Sequence, residues 1–232
     1  KALVTGGAGF IGSNLVEELI KKGDEVIVLD DFSSGKEKNL IEHDNLEIIR
    51  KSILDDDIKN KFENVDVVYH LAALPRVQFS IANPKETHEV NVSGTLKLLE
   101  ICKEKKVKRF VFSSSSSVYG EQEKLPLKES MNPNPISPYA LHKLVGEHYC
   151  RLYHLLFGIE TVSLRYFNVY GPKQDPSGQY AILIPKFIAK ALEGDRLIIN
   201  GDGEQTRDFT FVTDVVKANI LAGTSSNEKI FG

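Results

Sequence analysis

The sequence predicts an α/β fold, a doubly wound parallel sheet with a smaller, incomplete lobe at its carboxyl end. Three observations carry this. Short apolar runs alternate with helix-like stretches over residues 1–170, the pattern of a parallel sheet covered by helices. The first apolar run enters a turn with glycines at 6, 9 and 12 and leaves it as a helix. Beyond residue 171 the alternation stops, and shorter, more polar segments follow to residue 232. The expected organisation is one domain over 1–170 and one lobe over 171–232.

The elements follow in order. Residues 13–22 carry Leu15, Val16, Leu19 and Ile20 at helical spacing, and Gly23-Asp24 stops that helix. Val26 to Leu29 make a second strand that ends in Asp30 and Asp31. A polar, irregular stretch at 32–45 leads to a third strand at 46–50 and a short helix at 56–63. The fourth strand is expected at 65–71 and runs into Ala72-Ala73. A helical stretch over 83–102, a fifth strand at 110–112 and a serine run at 113–117 come next. Residues 121–138 read as a loop, 139–156 as a helix and 161–166 as the sixth strand. In the lobe, a long loop is expected at 171–181 and a helix at 184–192. A strand at 197–199, a turn at 201–203, a strand at 206–211 and a helix at 215–222 complete it.

The bulk numbers exclude several function classes. Apolar content of 41%, charged content of 26% and a net charge of −3 give no electrostatic case for nucleic acid or an anionic membrane. No apolar run approaches the ~18 residues of a membrane span. Cys102 and Cys150 sit in helix-like segments without metal-ligand spacing, so a reducing cytoplasm with free thiols and no metal is expected. Residue 1 already begins a strand, so no leader is expected. The chain lacks an initiating Met and stops at 229–232, which reads as the start of another strand, so a shortened chain is expected.

The glycine turn has a chemical meaning. Glycine tolerates backbone angles closed to other residues, lets the backbone approach a pyrophosphate, and lets the helix pack close on the strand. The helix N-terminus offers free N–H groups and partial positive charge to phosphates. Asp30 lies 18 residues after Gly12 at a strand end, placed to accept hydrogen bonds from both hydroxyls of an adenosine ribose. Its charge repels a 2′-phosphate, so NAD is expected over NADP; Lys36 and Lys38 lie just downstream and oppose that preference. The spacing is Gly-x-x-Gly-x-x-Gly, and its context of strand, helix, second strand and acid is what the motif requires.

A second constellation carries reactivity. Tyr139 and Lys143 are four apart on one helix face. A phenol with a pKa near ~10 is a poor base at neutral pH. A neighbouring ammonium and a positive nicotinamide ring favour the phenolate, which then takes a proton from an alcohol. Ser115, at a strand end, is placed to share or relay that proton.

With these motifs assembled, the sequence resembles the extended short-chain dehydrogenases/reductases of the nucleotide-sugar type. The resemblance rests on residues 5–12 (TGGAGFIG), Asp30, residues 70–73 (HLAA), residues 91–95 (NVSGT) and the serine run through Gly120. It rests further on residues 139–143 (YALHK), 165–171 (RYFNVYG) and 207–209 (RDF), in family order over almost the whole chain. Within that family the likeness is to UDP-sugar 4-epimerases of the UDP-galactose 4-epimerase type. Dehydratases of the family carry an Asp-Glu pair just before Val118-Tyr119-Gly120, and decarboxylases a Glu; here stand Ser116 and Ser117, which supply no carboxyl acid.

The resemblance implies a Rossmann-like NAD-binding domain over 1–170 and a substrate-binding lobe over 171–232. It implies reversible oxidation at C4 of a UDP-hexose through a 4-keto sugar, with Tyr139, Lys143, Ser115 and Ser116 as the catalytic set. The expected cofactor contacts begin with Gly6, Gly9, Phe10, Ile11 and Gly12. They continue with Asp30, Asp31, Ser34, Gly35, Ser52 and Ile53, where Ser52 replaces the usual Asp that contacts adenine. Leu71, Ala72, Ala73, Asn91, Ser113, Tyr139, Lys143 and Tyr166 complete them, with Asn91 bracing the active-site backbone. Ser115, Tyr139, Asn168 and Arg207 are the expected substrate contacts, the last two at the diphosphate. Relatives pair as homodimers through the helices near 91–102 and 140–156. A UDP-uronate 4-epimerase or another nucleotide-sugar reductase is the alternative enzyme, and a non-catalytic NAD-binding regulatory protein is the alternative without chemistry.

Overall fold

The computed structural model describes residues 1–176, 183–199 and 201–231. Six parallel strands form one sheet in the order β3-β2-β1-β4-β5-β6. They are β1 Ala2–Thr5, β2 Val26–Asp30, β3 Leu46–Arg50, β4 Val67–His70, β5 Arg109–Ser115 and β6 Glu160–Tyr166. The order reverses between β1 and β4, and a doubly wound sheet opens a ligand crevice at the carboxyl ends there. Thr5 and His70 are register partners at that point.

Each central strand is a continuous apolar run because both faces are covered. Leu3, Ile27, Leu29, Phe110 and Phe112 face one cluster, with Leu98, Leu99, Cys102 and Cys150 from the helices over it. Their strand neighbours Val4, Val28 and Val111 face the other, with Leu15, Leu19, Val216 and Ile220. Successive side chains of a strand point to opposite faces, so the two clusters interleave in sequence.

Helix α1 (Phe10–Lys21) follows the glycine turn and ends where Gly23 takes a positive φ of 89°. A short helix, α2 (Val77–Ala82), follows β4. The stretch after it is α3 (Pro84–His88), a π-helical turn over Glu89–Ser93, and α4 (Gly94–Lys105). Helix α5 (Pro138–Phe157) starts on a Ser137 cap with Pro138 in its first turn, and Gly158 follows its last turn at φ 73°. It lies close on β5: a Cβ on Gly146 would stand 2.4 Å from the Phe112 ring.

The remaining residues make a second, two-stranded parallel sheet of β7 (Asn168–Tyr170) and β8 (Phe209–Phe211). Helix α6 (Leu183–Glu193) has no buried residue. Helix α7 (Val212–Thr224) returns to the main sheet, where Val212, Val215, Val216 and Ile220 join the core beside α1. The last helix of the lobe thus shares the core of the first 170 residues.

Two expectations fail. Residues 197–199 form no strand; Leu197, Ile198 and Ile199 are exposed and pair with no strand among the described residues. The strand expected at 229–232 is instead a 3-10 turn over Glu228–Ile230, with Gly232 outside the described residues. Of the loop expected at 171–181, residues 177–181 also lie outside them. Strand β7 went unrecognised because three residues carry too little pattern to read.

Candidate active site

A cleft of about 360 Å³ opens along the carboxyl ends of β1, β2, β4 and β5. Its first end is built from backbone. Gly6 adopts φ 68°, and a Cβ there would meet the Ala72 amide nitrogen at 2.7 Å. A Cβ on Gly12 would stand 2.1 Å from the Gly6 carbonyl oxygen, so the turn and the first helical turn touch directly. Gly9 precedes α1, and neither a capping side chain nor an acid occupies that N-terminus. Its N–H groups are therefore open to an anion, which fits a dinucleotide diphosphate.

Asp30 closes this end. One carboxylate oxygen accepts the Ala8 N–H at 2.9 Å and the other the Phe32 N–H at 2.8 Å. Burial holds its pKa above the ordinary carboxylate range, and the two N–H groups oppose that rise. Asp31, Ser34, Ser52 and Ile53 line the same end. Gly35 lies behind it, where a Cβ would meet the Asp30 carboxylate at 2.8 Å. Lys36 is paired with Asp175, so its charge is answered on the protein.

The second end is built from side chains. Ser113, Tyr139, Lys143 and Tyr166 line it, with Leu71, Ala72 and Ala73 forming the wall between the ends. Lys143 donates to the Ser113 carbonyl at 2.7 Å, and its nitrogen stands 6.0 Å from the Tyr139 ring centre. Burial lowers the Lys143 pKa to about 8. Burial also pushes the Tyr139 phenol up to about 12, against a hydrogen bond from Ser115 that favours the phenolate. Tyr166 joins Ser113 at 3.0 Å and donates to Asn219 at 2.8 Å.

The profile of the NAD dependent epimerase/dehydratase family matches residues 2–231. The chain belongs to that family. Membership makes NAD the cofactor, and the cleft fits it: a glycine cradle, an open helix N-terminus and Asp30 stand at one end, a phenol–ammonium pair at the other. A putative UDP-glucose 4-epimerase of Methanocaldococcus jannaschii is 46% identical over 229 residues, 97% of this chain and 74% of that protein. The UDP-N-acetylglucosamine 4-epimerase of Methanobrevibacter ruminantium M1, solved with UDP-N-acetylmuramic acid, superposes with TM-score 0.95 at 46% identity. The match covers 98% of this chain and 74% of that one. The UDP-glucuronic acid 4-epimerase of Bacillus cereus, solved with UDP-glucuronic acid and NAD, gives 0.90 at 39% identity, over 100% and 75%.

Within this epimerase/dehydratase cleft, the other expected residues stand behind or beside the lining. Asn91 sits in the π-helical turn, where its amide accepts the Leu74 N–H at 2.8 Å and donates to the Leu74 carbonyl at 3.1 Å. It is fully engaged in bracing the wall backbone. Ser115 lies next to the lining, at Tyr139, and Ser116 begins the 3-10 turn Ser116–Tyr119. Asn168 and Arg207 come together where β7 meets β8: Asn168 donates to the Asp208 carbonyl at 3.0 Å, and Arg207 is exposed and donates to Thr206. Neither lines the cleft.

Some functional neighbours went unread in the sequence. Ser80 of α2 accepts the Tyr139 N–H at 3.1 Å and so holds the first turn of α5. Lys51, Lys173 and Asp175 line the cleft. Lys173 is anchored to Glu17 at 2.8 Å. Nothing local distinguishes these from solvated charges. A buried chain runs beneath the wall: Thr5 to His70 at 2.7 Å, His70 to Thr95 at 2.9 Å, Thr95 to the Asn91 carbonyl at 2.8 Å. Burial lowers the His70 pKa to about 3, and a single neutral tautomer satisfies every link.

Proposed function

We propose that the protein is an NAD-dependent 4-epimerase of UDP-hexoses, the glucose/galactose pair or its N-acetyl forms. The observation that carries the reading is Tyr139 with Ser115 and Lys143 at the side-chain end of the cleft. Ser116 and Ser117, where elimination chemistry needs carboxyl groups, support it.

Tyr139 takes the proton of the sugar 4-hydroxyl and later returns it. Burial disfavours the phenolate and the ammonium separately, and each charge answers the other when both are present. Ser115 holds the 4-oxygen and steadies the phenolate; Ser116 stands next to it as a second hydroxyl. Lys143 holds the nicotinamide ribose. Bound NAD⁺ supplies a hydride acceptor and donor and a positive ring beside the phenol. Because the same two-electron change is made and reversed in each cycle, the cofactor has no reason to leave.

Residues 6–12, Asp30, Asp31, Ser34, Gly35, Ser52 and Ile53 hold the adenosine and diphosphate. Asn168 and Arg207 hold the UDP diphosphate, for which a planar, permanently charged fork is suited. The substrate lobe comprises 171–211 with the small sheet, and α7 belongs to the NAD-binding part. No helix among the described residues is long and apolar enough to cross a membrane. The protein works in the cytoplasm as a homodimer through α4 and α5; the exposed Leu141, Leu152, Leu155 and Leu156 of α5 support that interface.

The test is incubation with UDP-glucose, UDP-N-acetylglucosamine and UDP-glucuronate, each with NAD and with products resolved by chromatography. The 4-epimer of a neutral hexose is expected, without net NAD reduction. Turnover of the uronate alone would reassign the substrate to a UDP-uronate, and interconversion of none would remove the epimerase reading.

A further inference from the structure

We infer that Glu147 and Arg165 form the positioning device that sets Ser115 against Tyr139, an inference that rests on the epimerase reading above. Helix α5 presents Tyr139, Lys143 and Glu147 at intervals of four residues, one face and three successive turns. Each meets a different residue of the serine run. Tyr139 meets the Ser115 hydroxyl, Lys143 the Ser113 carbonyl, and Glu147 the Ser114 hydroxyl. The helix thereby fixes the register of three consecutive serines.

Glu147 is itself held. Arg165 grips it with two parallel hydrogen bonds, Nε to Oε1 at 2.9 Å and Nη2 to Oε2 at 2.7 Å. Arg165 is the register partner of Ser114 on the neighbouring strand. Its guanidinium also lies over the Tyr119 ring, 4.6 Å from the ring centre. Tyr119 closes the 3-10 turn that begins at Ser116. One ion pair therefore holds both flanks of the turn, Ser114 before it and Tyr119 at its end, with Ser115 between.

The pair is nearly enclosed, with side-chain exposures of 19% for Arg165 and 12% for Glu147. Enclosed pairs are weak evidence for stability and better evidence for specifying an arrangement. The arrangement specified here has a direction. Ser115 accepts from the Ser117 N–H at 3.2 Å and the Ser117 hydroxyl at 2.9 Å, which leaves its own proton to donate to Tyr139. A donor at that point favours the phenolate. Glu147 acts through Ser114 and Ser115 and touches no substrate.

The test reads Tyr139 directly. The chain is labelled at tyrosine Cζ, and the Tyr139 carbon resonance is assigned as the one lost in Tyr139→Phe. Glu147→Gln, which keeps the shape and removes the charge, is expected to move that resonance in the same direction as Ser115→Ala. Combined with Ser115→Ala it is expected to add nothing. In turnover, Glu147→Gln is expected to lower kcat at least tenfold with KM within twofold, and to move the acidic limb of the kcat–pH profile upward. An unmoved resonance in folded Glu147→Gln, or a shift that adds fully to that of Ser115→Ala, overturns the inference. If Glu147→Gln does not fold, Ser114→Ala removes only the link and meets the same criteria. The resonance needs no turnover, so loss of the epimerase reading and loss of this one are separately visible.

Discussion

The glycine-rich end of the cleft comes mostly from residues 2–35, one stretch of chain completed by Ser52 and Ile53, and its cradle is backbone. The serine–tyrosine end is assembled from α2, β5, α5 and β6, and from side chains that burial holds away from their ordinary ionisation. At the first end the residues are defined by what they lack: a Cβ on Gly6 or Gly12 collides with backbone. At the second they are defined by what they carry, a phenol, an ammonium and hydroxyls. Substitutions at the first end should therefore damage shape and cofactor retention together. Those at the second should damage chemistry and leave shape intact.

The largest effect separates the two ends most sharply. Tyr139→Phe removes the proton acceptor and keeps the ring in its packed site. Turnover is expected to fall by a factor of about 10²–10⁴, or ~3–5 kcal/mol of barrier. NAD content after gel filtration should be that of the parent. Turnover within threefold of the parent would place the base elsewhere.

Gly12→Ala probes the first end. The new Cβ stands 2.1 Å from the Gly6 carbonyl oxygen, a backbone atom that cannot rotate away. Overpacking of this kind costs about 1–3 kcal/mol, and here the strained segment is the diphosphate cradle. Loss of NAD retention should accompany the drop in melting temperature. Gly223→Ala is the control, because its Cβ would meet the Tyr69 hydroxyl at 1.9 Å in the core away from the cleft. It should lower stability and leave NAD affinity unchanged. Equal NAD affinity in both variants would mean that the glycine turn is only structural.

The same contrast explains what the sequence made legible. Strand, glycine turn, helix, second strand and Asp30 are contiguous, so periodicity and spacing expose them without a fold. Tyr139 and Lys143 are legible because four residues on a helix define a face. By that rule Glu147 was also within reach. What hid it was its partner, since Arg165 meets it only when β6 lies beside β5. Ser80 under Tyr139, and Lys173 and Asp175 along the cleft, depend on packing between distant segments and carry no local signature. Residues 197–199 misled because an apolar triplet reads as a strand whether or not a neighbour exists to bond it; here it is exposed.

The effect that is smallest at neutral pH is the most diagnostic of the side-chain end, because it separates the charge of Lys143 from its packing. Burial lowers its pKa to about 8 in the folded protein, against 10.5 for an unburied lysine. A depressed lysine pKa means that between those values the unfolded chain binds the proton and the folded one does not, so stability rises with pH across that window. Below about pH 8 both states carry the charge and the contribution is constant. Lys143→Met abolishes that pH-dependent contribution and keeps the length of the side chain. The parent should therefore gain on the variant by up to ~1.4 kcal/mol per pH unit between pH 8 and 10.5, with no relative change from pH 6 to 7.5. Urea unfolding of both proteins at five pH values measures it, and other titrating groups cancel in the difference. A flat difference would show that the ammonium is solvated in the folded state. Burial could then not be what couples it to Tyr139, and the contrast between the two ends would rest on the phenol alone.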